Sequence, residues 1–467
     1  MNVSIGGEGS AQQTGADHSV ESKQEEPRTV TPRVEPRKNI AVLDGIRACA
    51  ILLVMSFHVD LKTLNALWNQ PRHLYASALA NFGASGVNLF FLLSGFLLFL
   101  PYAKSLLFQA PWPSARQFYV KRVLRIVPAY YVTLFAVILI FDQSYLQPRR
   151  WNELGIFLSF FMDSSWLTFR QLDGPFWTLA IEWQFYMILP LLALGFLLVA
   201  KRLPTAPARR LLVMIGCCGV LIIWGMLLRV WGASPMAQHP SDIVTRVLVV
   251  LLYGITGKYI EEFAIGMIIC LCCTYAWHPV YGALTRRRFE RSSLFVGAIG
   301  LIILVFMAIW HFDYAHMRVP TFSFMDRFNP EYDLINELII SFGYGAFMFS
   351  VLFGPHWLQR IFSLKPLIWI GLISYGLYMW HMPFITMFRG QVLPHLAIQG
   401  PIRYFAHWLW LLLTAVPVAF LSYQFIEKPG TRLGARLTKR MQEKRLARAQ
   451  RAKIVEPGSV ETRSVEA

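Results

Sequence analysis

From Ile40 onward the chain alternates between apolar blocks and short polar connectors. The blocks run about 17–25 residues, the length a helix needs to cross a bilayer. Ten can be drawn, at roughly 40–59, 83–102, 126–142, 177–199, 211–231, 259–277, 294–312, 334–353, 367–387 and 404–426. Two further apolar stretches, 152–162 and 246–256, are too brief to cross and are placed in the interface or as re-entrant segments. Residues 1–39 are polar, mix both charges and carry Pro27, Pro32 and Pro36. Such a segment buries too little apolar surface to offset its ordering entropy, so a disordered cytoplasmic tail without a cleavable signal peptide is expected. Residues 429–467 read as a second, basic cytoplasmic tail. The pattern predicts an all-α fold, a polytopic membrane bundle of about ten transmembrane helices over residues 40–428.

Composition agrees with that pattern. Of the 467 residues, 55% are hydrophobic and 15% charged, too little polar surface to cover soluble domains of this size. The net charge of +17 raises the question of nucleic acid. The basic residues, however, lie in the connectors and the C-terminal tail, where they set topology and meet lipid headgroups, so no nucleic-acid partner is inferred. With the N-terminus inside, the short inner connectors hold 15 lysines and arginines, among them Lys104, Arg122, Arg125, Arg210 and Arg287. Both termini are therefore expected in the cytoplasm of a multi-pass cell-membrane protein. All six cysteines fall inside apolar blocks, which implies neither a disulfide framework nor a metal site.

Because an ionisable side chain in hydrocarbon is expensive unless paired or hydrated, polar residues inside the blocks are the informative ones. In the first block Arg47 and His58 stand eleven residues apart, about three turns, which places them on one helix face roughly 16 Å apart along the axis. Asp44, one turn before Arg47, is positioned to pair with it. Glu182 enters the fourth block at a depth that the assigned topology matches to His58, where a carboxylate can orient an imidazole and stabilise its protonated form. In the ninth block Tyr378 and His381 share a face, although an interfacial aromatic belt also accounts for Tyr378. Arg122 and Arg125 lie on one face at the inner mouth, where two guanidiniums can hold phosphates. Ser94 lies in a small-residue segment, Gly83 to Phe96, that suits close helix packing; its flanks are not those of a nucleophile elbow.

Taken together these segments resemble acyltransferase family 3, a family of integral membrane acyltransferases, over about residues 40–428. The resemblance rests on five stretches in order. They are Arg47-x10-His58, Gly86-Val87-Asn88 through Ser94-Gly95-Phe96, Arg122-x-x-Arg125-Ile126-x-Pro128, Trp177-Thr178-Leu179 before Glu182, and Ser374-Tyr375-Gly376-Leu377-Tyr378 before His381. It implies an enzyme that transfers an acyl group, commonly acetyl from acetyl-CoA, to a hydroxyl of a cell-surface carbohydrate, lipid-linked glycan or related small molecule. The catalytic set it implies is His58 with Arg47, Glu182 being the orienting partner read from depth. Arg122 and Arg125 are implied as donor-binding, with Asp44, Ser94, Tyr378 and His381 in support. The donor acyl-CoA is a substrate, and neither a bound cofactor nor a metal is implied. Some relatives append an extracytoplasmic hydrolase-like domain after the membrane part, which the basic tail here does not resemble. A transporter or flippase of a lipid-linked sugar, using the same charges as a relay, is the alternative from another class. Acceptor choice is expected in the outer connectors that carry Trp166, Asp173, His239 and His316.

Overall fold

The computed structural model describes residues 36–62, 74–202, 204–315, 323–324, 326–399 and 401–455. Among these every regular element is helical. The expected N-terminal tail lies outside the described residues up to position 35, and α1 (Pro36–Lys62) begins four residues before the first apolar block. Next come α2 (Leu74–Asn81), a 3-10 turn (Phe82–Ser85), α3 (Gly86–Phe108) and α4 (Ala115–Phe141). The short α5 (Trp151–Leu158) precedes α6 (Phe176–Ala200) and α7 (Pro207–Gly232). Then follow α8 (Pro235–Gln238), α9 (Ile243–Leu248), α10 (Ile260–Ala276), α11 (Ala283–Ala315) and α12 (Tyr332–Phe353). The chain closes with α13 (His356–Phe362), α14 (Lys365–Leu372), α15 (Ser374–Met387), α16 (Pro401–Leu413), α17 (Ala415–Ser422) and α18 (Lys428–Val455).

Eight helical stretches among the described residues are long and apolar enough to cross a membrane, and the protein is a multi-pass membrane protein. The other two expected spans are shorter pieces. The sixth is α10, which has 17 residues. The ninth is divided into α14 and α15, whose helices part at Ile373. The two stretches read as too short to cross are short helices, α5 and α9 with its adjoining π-turn. Beyond Glu427 the polar tail is not irregular: it continues as α18, which packs along the start of α4. Its exposed arginines and lysines alternate with Gly430 and Gly434, which lie against Leu124 and Lys121 of α4.

The outer faces of α4, α6, α7 and α11 are apolar and exposed, with Leu139, Leu191, Leu212, Ile223, Leu301 and Ile302 among the side chains presented to lipid. The interior helices are α3 and α10. Phe263, Ala264, Met267, Cys270 and Leu271 of α10 are fully buried against α3, α7 and α12. Close approach of α3 and α10 depends on two reciprocal glycines. A Cβ at Gly95 would overlap the carbonyl of Phe263, and one at Gly266 would overlap the carbonyl of Leu92. Small residues at a membrane helix contact allow backbone-to-backbone packing that larger side chains forbid. We expect Gly266→Val to force α10 away from α3 at a cost of about 1–3 kcal/mol. The check is the thermal midpoint of the purified protein, which should fall well below that of Gly390→Ala, a position with open space around it.

Candidate functional site

Five helices enclose one internal cavity whose empty space, mouth included, is about 840 Å³. Its residues fall at helical spacing on each wall: Val87, Phe90, Phe91, Ser94, Leu97 and Leu98 on α3, Arg122, Arg125 and Ile126 on α4, Thr178, Leu179, Glu182 and Tyr186 on α6, and Ser374, Tyr375 and Tyr378 on α15. Arg47 completes the lining from α1. Three guanidiniums and one carboxylate thus share a chamber otherwise lined by apolar, aromatic and hydroxyl side chains.

Two of these charges have close polar partners. Arg47 Nη1 donates to Asp44 Oδ1 at 2.9 Å, the pairing expected from their spacing. Glu182 accepts hydrogen bonds from the Ser94 hydroxyl and from the phenol of Tyr186 one turn along its own helix. It shares the chamber lining with Arg47 and Arg122. Arg122 stacks over Phe118 with 5.7 Å between guanidinium carbon and ring centre, and its buried Nε has no hydrogen-bond partner. An unpaired guanidinium nitrogen in an apolar chamber favours an incoming anion, because the desolvation cost is already present in the empty site.

His58 lies elsewhere: it is not part of the cavity lining, and among the described residues His381 stands against its ring. His381 Nε2 stands 3.2 Å from His58 Nδ1, with ring centres 5.1 Å apart. Among the described contacts none joins Glu182, the expected orienting partner, to His58. α6 turns Glu182 into the chamber, toward Ser94 and the lining guanidiniums. Ser94 also departs from its expected place, facing the cavity instead of a helix contact. Tyr378 links the two regions. It lines the cavity and sits 5.9 Å, centre to centre, from both Phe90 and His381. Its hydroxyl is tied to Thr178 and to the carbonyl of Pro175.

A second buried polar layer escaped the sequence reading. On the opposite face of α3, Asn88 Nδ2 donates to Glu262 Oε1 at 2.7 Å and to Glu337 Oε2 at 2.5 Å. Next to it Arg229 pairs with Glu261 at 2.5 Å and lies 4.8 Å over the ring of Tyr259. These residues tie α3, α7, α10 and α12 together inside the bundle. The signal that marks them is the one already applied to Arg47, an ionisable side chain within an apolar block. Among the outer connectors, Lys258 forms an ion pair with Asp163, and Gln184 of α6 also donates to Asp163 at 2.9 Å. His316 lies outside the described residues.

Fold and cavity together define a multi-pass helical membrane protein with a cationic internal chamber. The chain belongs to acyltransferase family 3, whose acyltransferase domain it matches over residues 40–424. It is 27% identical over 416 residues to the peptidoglycan O-acetyltransferase OatA of Listeria monocytogenes, a match covering 84% of this chain and 56% of that protein. The putative peptidoglycan O-acetyltransferase YrhL of Bacillus subtilis is also 27% identical, over 85% of this chain and 56% of its own length. A putative O-acetyltransferase of Staphylococcus aureus is 23% identical over 84% and 57%. The chain spans a little over half the length of these curated relatives. No solved structure gives a significant match.

Asp173, in the connector before α6, is 2% exposed, and neither of its carboxylate oxygens has a hydrogen-bond partner among the described residues. Burial holds its carboxyl well above the usual carboxylate range. With the folded value raised, the native state binds the proton more tightly than the unfolded chain, so stability falls as pH rises past the unfolded value of about 3.9. Asp173→Asn should therefore raise the thermal midpoint at pH 7 and leave it nearly unchanged at pH 4. A lower midpoint at pH 7 would show that the ionised carboxylate is held by a favourable partner.

Proposed function

We propose that the protein is an O-acyltransferase that moves an acyl group, acetyl in the simplest case, from acyl-CoA to a hydroxyl of a cell-surface carbohydrate. Peptidoglycan, the acceptor in the names of two relatives, is the first candidate to test. One observation carries the reading: Arg47, Arg122 and Arg125 converge on a single internal chamber in a chain of an acyltransferase family. Arginine forks match phosphate oxygens bidentately, and three of them suit the several phosphates of a coenzyme A thioester. On the topology drawn from the Lys/Arg bias, the chamber takes its donor from the cytoplasm and His58 lies toward the outer surface. Donor and acceptor then reach the reaction from opposite sides.

In this scheme His58 is the general base. It withdraws the proton as the hydroxyl oxygen attacks the thioester carbon; the C–S bond breaks, and the proton passes from His58 to the departing thiolate. Arg47, with the polar groups beside it, stabilises negative charge on the donor side. Tyr378, which lines the chamber and meets His381, lies on the acyl group's way to His58. An acyl-histidine intermediate would use the same residue as nucleophile, and both routes require His58.

Arg122→Ala and Arg125→Ala should each weaken acetyl-CoA binding by tenfold or more, since a charge-assisted hydrogen bond contributes about 1.5–3 kcal/mol. Calorimetric titration checks this, and unchanged affinity in both variants would contradict it. His58→Ala should lower acetyl transfer by roughly 10²–10⁴-fold, the range of a lost general base. With labelled acetyl-CoA, acyl transfer yields a labelled acceptor and free coenzyme A, whereas transport of a lipid-linked sugar yields neither.

A further inference from the structure

We infer that His381 is the positioning residue for His58, fixing which imidazole nitrogen is basic and sharing the charge when a proton arrives. The inference rests on the reading of His58 as the base and deepens it. His381 is fully buried on α15, and its Nδ1 lies 3.0 Å from the carbonyl oxygens of both Leu377 and Tyr378. Two acceptors around one nitrogen require that nitrogen to carry the hydrogen. In the neutral ring Nε2 then holds the lone pair, and this is the atom facing His58 Nδ1 at 3.2 Å. His58 Nδ1 is thereby flanked by two acceptors as well, His381 Nε2 and the Val54 carbonyl at 2.9 Å. It must be the protonated nitrogen, which makes Nε2 the basic atom of His58.

The opposite assignment, a proton on His381 Nε2, makes that ring an imidazolium. A fully buried cation held only by backbone carbonyls and a neutral imidazole is costly, and no carboxylate contacts His381 among the described residues. The pair is also mechanically fixed. Ile51, Met55 and Val59 of α1 pack in one buried cluster with Leu377 and Ile385 of α15, on the turns that carry the two histidines. When His58 Nε2 takes a proton from the acceptor hydroxyl, the Nδ1–H bond to His381 strengthens and spreads the positive charge over both rings. His381 touches neither donor nor acceptor in this scheme; it acts through His58.

Three full-length variants in lipid nanodiscs test this: His381→Phe, which keeps a ring and removes the acceptor, His381→Gln, which restores an acceptor oxygen, and His58→Ala. At saturating substrates His381→Phe should lose roughly 10–10²-fold in kcat, part of the 10²–10⁴ a general base contributes, with KM for acetyl-CoA unchanged. His381→Gln should recover a measurable share of that loss. In ¹⁵N-histidine spectra, with His58 assigned by its absence in His58→Ala, the wild-type ring should carry its proton on Nδ1 and show coupling across the bond to a second histidine nitrogen. That coupling should vanish in His381→Phe. Wild-type kcat in His381→Phe, or a His58 proton on Nε2 in the wild type, would overturn the inference while a dead His58→Ala left the base reading standing. An active His58→Ala would instead overturn the base reading itself. Should His381→Phe not fold, the wild-type spectrum and His381→Gln decide the question.

Discussion

A guanidinium inside a lipid-embedded bundle must find a counter-charge, an acceptor or a polar cavity, and most of this architecture follows from meeting that demand around Arg47. Its partner Asp44 comes from its own helix, one turn away. The rest of its surroundings come from four other helices that turn their polar residues toward one chamber. Two more guanidiniums join it against a single lining carboxylate, so the chamber keeps excess positive charge. An anion is the natural completion of such a site, because it supplies the charge that the protein withholds.

The helix α3 organises the interior by having two different faces. Toward the chamber it presents Phe90, Ser94 and Leu97; on the far side Asn88 bridges Glu262 and Glu337, and Gly95 lets α10 approach. The chamber wall is thus braced from behind by hydrogen bonds, which hold their geometry well in a low dielectric. Tyr378 performs a comparable division along α15. Its hydroxyl is anchored at the start of α6, and its ring touches both the chamber and His381.

Much of this was legible in the chain. Apolar blocks mark the helices because a membrane penalises unpaired backbone groups, and the helical fold class follows from that alone. The Arg47 and Asp44 pair could be read from a spacing of three, since both residues belong to one helix. Glu182 could not be placed, because the rotation of α6 depends on how Ser94 and the arginines of other helices pack, and the Ser94 contact joins residues 88 positions apart. The break at Ile373 is likewise tertiary in origin, with Gly371 lying directly against the backbone of Asp44. His381 was visible as a histidine on the face of Tyr378, but its partnership with His58 spans 323 residues of sequence and arises only when α1 and α15 meet.

In the proposed mechanism the arginine chamber and the histidine pair serve one reaction from opposite sides of the bilayer. Sealed vesicles containing the purified protein in one orientation test it directly, with isotopically labelled acetyl-CoA confined to the face where the chamber opens and peptidoglycan fragments to the other. The account predicts labelled acetyl on the fragments and free coenzyme A only in the donor compartment. Label that reaches the fragments only when donor and acceptor share a compartment, or that never leaves the thioester, would contradict it.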